Sequence, residues 1–132
     1  MAILLEFDAG HNIVRGTMKG RLTDAIILDC QALATRYTKS HPPCRGIWDY
    51  SDVTDFQLSG DAVRQVERRR PVIATGYASV VVAPQDYVYG MMRMLQILSE
   101  GSRPELSVVR SLNEAYGLLQ VESPAFVSVA PE

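Results

Sequence analysis

Apolar and polar positions alternate along this chain with two different periods, and the switches between them mark out its elements. Ile3–Asp8 and Ile13–Met18 are short apolar-rich runs flanking Ala9-Gly10-His11-Asn12. Gly and Asn tolerate positive φ, so the pair predicts an antiparallel hairpin. In the second run Val14, Gly16 and Met18 alternate with Arg15, Thr17 and Lys19, the pattern of a strand with one buried and one partly wet face. Thr23 then suits an N-cap and Asp24 a first helical turn, which predicts a helix over residues 24–38. Its apolar face is Ile26, Cys30, Leu33, Ala34 and Tyr37, and Lys39–Pro43 end it.

The same reading continues to the end of the chain. Gly46–Tyr50 predicts a third strand, followed by an acidic segment, Ser51–Gln57. Ser59 caps a short second helix that turns Ala62, Val63 and Val66 inward and stops at Arg70-Pro71. Ala78–Ala83 is a continuous apolar run, as in a central strand covered on at least one face. A third helix, about Gln85–Ser99, carries Val88, Met91, Met92, Leu95 and Leu98 inward, and Gly101 closes it. Leu106–Val109 predicts a last strand, and Ser111-Leu112-Asn113-Glu114 matches a capping box. The helix that follows bears Leu112, Ala115, Leu118 and Leu119, and past Pro124 no pattern assigns the tail.

The order ββαβαβαβα predicts one α/β domain over residues 1–121 and a short C-terminal tail over 122–132. Parallel strands joined by right-handed crossovers, each added beside the last, place every crossover helix on one face of the sheet. The expectation is a mixed five-stranded sheet with an N-terminal hairpin and four helices mostly on one face. The other face must then be polar or covered by a partner or ligand. Cys30, Leu33, Val80, Val82, Met91 and Leu95 are the expected core.

Composition narrows the function classes. At 132 residues the chain can bury roughly two-thirds of its unfolded surface without a metal or disulfide staple. A net charge of −2 argues against nucleic acid as a partner. Two cysteines, Cys30 in a helical pattern and Cys44 in a loop, are not a secreted disulfide framework. The first residues lack the basic region of a signal peptide, and no run is long enough to be transmembrane, so the cytoplasm is the expected compartment.

No phosphate-cradling loop, dinucleotide fingerprint or nucleophile elbow is present. His41 and Cys44 stand in His-Pro-Pro-Cys, but two groups do not complete a metal site, and a plain loop explains them. Asp49, Asp52 and Asp55 recur every third residue after a strand, where α/β folds place ligands. They read first as a solvated loop with Asp49 capping local backbone. Arg64, Arg68, Arg69 and Arg70 suit a helix C-terminus, with an anionic-ligand patch as the sharper alternative.

The stretch Gly46-Ile47-Trp48-Asp49-Tyr50-Ser51-Asp52-Val53-Thr54, followed by Ser59-Gly60, resembles the strand-loop-helix core of STAS domains, the SpoIIAA-like fold. Tyr89-Gly90-Met91-Met92-Arg93-Met94 and Val109-Arg110-Ser111-Leu112-Asn113-Glu114-Ala115 resemble a bacterial branch of that superfamily related to CRAL–TRIO lipid carriers. The resemblance spans about residues 1–121. It implies a regulatory or scaffold module, with Asp49, Asp52, Thr54, Ser59 and Gly60 as candidate binding residues. Anti-sigma factor antagonists of this fold carry Asp-Ser-Ser-Gly at the second helix start, and phosphorylation of the first serine releases their partner kinase. The matching positions here are Gln57-Leu58-Ser59-Gly60, so a leucine replaces the phospho-acceptor.

The resulting expectation is a non-enzymatic protein-binding module without cofactor or metal, working as a homodimer. The rival is a small lipid or apolar-ligand carrier of CRAL–TRIO type. A carrier needs an enclosed apolar pocket of several hundred Å³, whereas a protein-binding module needs only an exposed face.

Overall fold

The computed structural model describes residues 3–129. Strands β1 (Ile3–Asp8) and β2 (Ile13–Thr23) form the hairpin, with Ile3 opposite Met18 and Asp8 opposite Ile13. Asn12 takes the left-handed conformation (φ 56°) at the turn. The chain then runs through α1 (Asp24–Lys39), β3 (Arg45–Gln57), α2 (Gly60–Arg68), β4 (Ser79–Val82), α3 (Asp86–Leu98), β5 (Leu106–Val109) and α4 (Leu112–Leu119). A sixth strand, β6 (Val127–Ser128), closes the series. The strand order is β5-β4-β3-β2-β1-β6, parallel from β2 to β5 and antiparallel at β1 and β6.

This is the expected α/β fold with four helices and an opening hairpin, but the sheet has six strands rather than five. The extra one lies in the tail, where Val127 pairs with Phe7 and the Val129 N–H donates to the Leu5 carbonyl at 3.0 Å. Two residues are too few to show a strand period, so backbone pairing with β1 is what defines it.

The crossover helices α1, α2 and α3 lie on one face, as the handedness rule requires. Ile27, Cys30, Tyr37, Val63, Val66, Val88 and Met92 pack there against Leu5, Val14, Tyr50 and Val81. Helix α4 lies on the other face. Ala115 and Leu119 cover Ile13, Ile47, Val80, Val82 and Val109, with Val121 and Phe126 continuing the cover. The reason is topological: β5 is an edge strand, and the chain must travel from it to the opposite edge beside β1. Of the expected core, Cys30, Val80, Val82 and Leu95 are buried, whereas Leu33 and Met91 are only partly so. Ile27 and Met92 take the deeper positions of their helices, and Leu98 is 45% exposed.

Strand β3 is much longer than its apolar run. The acidic segment Ser51–Gln57, expected to be a loop, continues the strand beside β2, with Asp52 opposite Lys19 and Gln57 opposite Thr23. Register shifts at Thr17/Lys19 and Gly20/Arg21 give β3 extra residues relative to β2. They break the two-residue alternation, so Tyr50 and Val53 are both buried although three apart. Gly20, at φ +72°, sits between the two shifts in a conformation that glycine adopts without strain.

Candidate functional site

Strand β3 pairs with β4 only over Gly46–Asp49, so beyond Asp49 it continues with β2 as a two-stranded ribbon. The ribbon leads directly to the start of α2. All five candidate residues lie on this path, but the structure gives them different work.

Asp49 is buried, and its Oδ1 accepts from the Ser51 N–H at 2.9 Å and the Ser51 hydroxyl at 2.6 Å. It holds the point where β3 leaves the main sheet. Asp52 and Thr54 are exposed on the ribbon, as is Asp55. The facing strand supplies Lys19 and Arg21, and the Arg21 Nε lies 3.6 Å from the Asp55 carboxylate. The ribbon thus carries mixed charge.

Ser59 caps α2, its Oγ accepting from the Ala62 N–H at 3.2 Å. The same hydroxyl donates to Asp24 Oδ2 at 2.6 Å, and the Ser59 N–H donates to Asp24 Oδ1 at 2.8 Å. Asp24 belongs to the first turn of α1, so one carboxylate ties the starts of two helices together. The bonds from the Ser59 hydroxyl and N–H stabilise the charged carboxylate and lower its pKa. A phosphate on Ser59 would displace this bond and face that charge. Leu58, at the family's acceptor position, is buried, and its carbonyl accepts from the Tyr87 hydroxyl at 2.6 Å. At Gly60 an added Cβ would meet Met94 Cε at an ordinary 3.6 Å, so neither space nor backbone demands glycine.

Three partners of the site were not visible in the sequence. Asp24, Tyr87 and Gln85 reach it from 29 to 35 residues away. Gln85 Nε2 donates to the Val53 carbonyl at 3.1 Å, which anchors the ribbon to the start of α3. The cap at Ser59 had a local signal, and so did Asp49, whose bond from the Ser51 N–H is the local backbone cap expected of it.

Most of the remaining candidates make contacts within the fold, whereas Arg68 and Arg70 are exposed. His41 stacks on Tyr37 with ring centroids 4.0 Å apart, and its Nδ1 lies 2.7 Å from the Tyr37 carbonyl oxygen. Cys44 is a buried free thiol whose pKa burial raises. Arg64 pairs with Asp61 at 3.2 Å, and Arg69 donates to the Leu28 carbonyl at 3.0 Å. The end of α2 is held by Arg103, which donates to the carbonyls of Val66, Glu67 and Arg69. Among the described residues, no three His, Cys, Asp or Glu side chains stand close enough to share a metal ion. No described helix is long and apolar enough to cross a membrane.

Neither a known protein family nor a curated protein matches this chain in sequence.

Proposed function

We propose that the chain is a non-enzymatic, STAS-like protein-binding module of the cytoplasm, and that it meets its partner with the β2–β3 ribbon beside the start of α2. The observation that carries this reading is the order of the ribbon. Asp52, Thr54 and Asp55 face solvent from a strand fixed by backbone pairing and by Gln85, where a loop was expected. A polar surface that is already rigid loses little conformational entropy when a partner docks. Asp49 and Ser59 support the ribbon's two ends and have their oxygens engaged in doing so. The module works without a phospho-switch at α2, since Leu58 offers no hydroxyl and Ser59 is held by Asp24.

The test is affinity capture from the protein's own cells with two baits, wild type and the Asp52→Asn/Asp55→Asn double variant, which removes the charges without setting like charges opposite Lys19 and Arg21. The expected result is a protein retained stoichiometrically by wild type and lost by the variant, with both baits melting alike. Equal capture by two folded baits would place the binding face elsewhere.

The carrier reading has less support. The mainly apolar cavity between the helical layer and the sheet holds about 110 Å³, short of the several hundred Å³ that a carrier needs.

A further inference from the structure

Helix α3 leaves one side bare. Val88, Met92 and Leu95 are buried, while Gly90, Arg93 and Ile97 fall at i, i+3 and i+7 and share an outward stripe. All three are exposed, Ile97 at 59%. Glu100, in the turn just past the helix, lines the same open groove as Arg93 and Ile97 and so continues the stripe. Gln96 flanks it and donates to the Leu106 carbonyl of the edge strand β5 at 2.9 Å. The ribbon belongs to β2 and β3, further into the sheet, so this is a different surface.

Three features of the stripe have no explanation within one chain. Gln96 Oε1 holds Arg93 through its Nη1 at 2.8 Å, yet among the described residues neither Arg93 nor Glu100 forms an ion pair. Two turns of helix, about 10 Å, keep them from pairing with each other. Glu100 also stands at the carboxyl end of α3, where the helix dipole disfavours negative charge, and the last turn has no basic residue to offset it. Arg103 is turned away, donating to the carbonyls at the end of α2. Finally, glycine inside a helix is destabilising relative to alanine, and nothing lies within 4 Å of where a Cβ on Gly90 would sit.

A stripe with a base near one end, an acid at the other and an apolar residue between them is complementary to itself. Ile97 lies four residues after Arg93 and three before Glu100. A two-fold axis beside Ile97 lays a second α3 antiparallel on the first and sets Ile97 against its own copy. Each Arg93 then comes within one residue of the level of the second copy's Glu100, and Gly90 leaves room for the turn past the second helix. We infer that this stripe is the contact of a homodimer, with Ile97 at the axis and two reciprocal Arg93–Glu100 pairs. A partner of single charge sign would satisfy one end of the stripe and oppose the other. One helix pair buries less than the roughly 1,200 Å² of a standard interface, and exposed ion pairs add little, so the dimer is weak and salt-sensitive.

The experiment is sedimentation velocity of the full chain over a concentration series, with a thermal melt to check that each variant folds. Wild type should dimerise with a Kd of about 10–100 µM at about 0.1 M salt, and several-fold more weakly at about 0.5 M. Arg93→Glu and Glu100→Arg each set like charges at both contacts, and each should weaken the dimer about tenfold. An equimolar mixture of the two variants restores both pairs, since one copy brings two acids and the other two bases. The mixture should dimerise as tightly as wild type, a rescue that damage to a single chain would not give. A wild type that stays monomeric, a dimer unmoved by salt, a single variant that dimerises normally, or a mixture no tighter than its components would each overturn the inference. Wild type and its salt dependence decide the matter should a variant not fold. None of these outcomes bears on the ribbon, whose Asp52 and Asp55 are unchanged.

Discussion

A carboxylate as buried as Asp8 is tolerated only where donors surround it. Asp8 is 1% exposed, and its oxygens lie 3.0 Å from the Ala125 N–H, 3.1 Å from the His11 N–H and 2.7 Å from His11 Nδ1. Burial alone would raise its pKa, but the bonds from Ala125 and His11 outweigh it and hold the carboxyl below its ordinary value of 3.8. The folded state then takes up the proton at lower pH than the unfolded chain does. The stabilisation is complete above 3.8 and is lost as pH falls through that value towards the folded pKa. Asp8→Asn turns one acceptor into a donor facing donors, and urea unfolding at neutral pH should show a loss of about 1–3 kcal/mol. Repeated down through pH 3.8, the wild type should weaken more steeply than the variant. Parallel acid limbs would mean that Asp8 is not the group responsible. Nothing in the sequence marked this residue, because a decisive donor comes from Ala125, far along the chain. Ser59 is the opposite case. Its place before an amphipathic stretch announced a cap, and Ser59→Ala should cost about 1 kcal/mol in thermal or urea unfolding while leaving partner binding intact. No loss of stability would contradict the cap.

At the scale of elements, legibility followed the strength of the local pattern. The hairpin and four helices were readable because their periods run over whole segments and their ends carry turn or capping residues. The far half of β3 was not, since its register shifts destroy the alternation that identifies a strand. Helix α4 was placed in the sequence but not on its face. The clue was present in Ser79–Val82, where Val80 and Val82 point one way and Val81 the other, all of them buried. A strand buried on both sides implies two covers, and the continuous apolar run from Ala78 to Ala83 says so. The second cover can be tested by substitution. Ile47 is fully buried beneath α4, and Ile47→Ala should lower stability by about 2–5 kcal/mol. Leu98→Ala, at an exposed position once assigned to the inner stripe of α3, should change it by less than about 0.5 kcal/mol. Urea denaturation of both variants checks the pair, and similar values for the two would contradict the second cover.

The whole molecule is a sheet with a cover on each side, closed at one edge by its own tail. Arg15 ties that arrangement together: it donates to Glu6 at 2.8 Å and to the Tyr116 hydroxyl at 2.7 Å, and it lies 4.0 Å from the Phe126 ring centre. The candidate site was legible as a place, the stretch from Asp49 to Gly60, because it joins a strand end to a helix cap. Its division into buried supports and exposed contacts was not, since that depends on Asp24, Gln85 and Tyr87 arriving from other elements. The expectation of a homodimer named the open sheet face or an adjoining helix, and α4 with Phe126 covers that face. The central claim is that this chain acts by holding another polypeptide. Native mass spectrometry of the protein purified from its own cells tests it most directly, because every bound species adds its own mass. The account predicts complexes heavier than the 14.6 kDa chain by at least one whole polypeptide, either a second copy or a different protein. A spectrum showing only the free chain, or the chain with a small molecule and nothing larger, would contradict it.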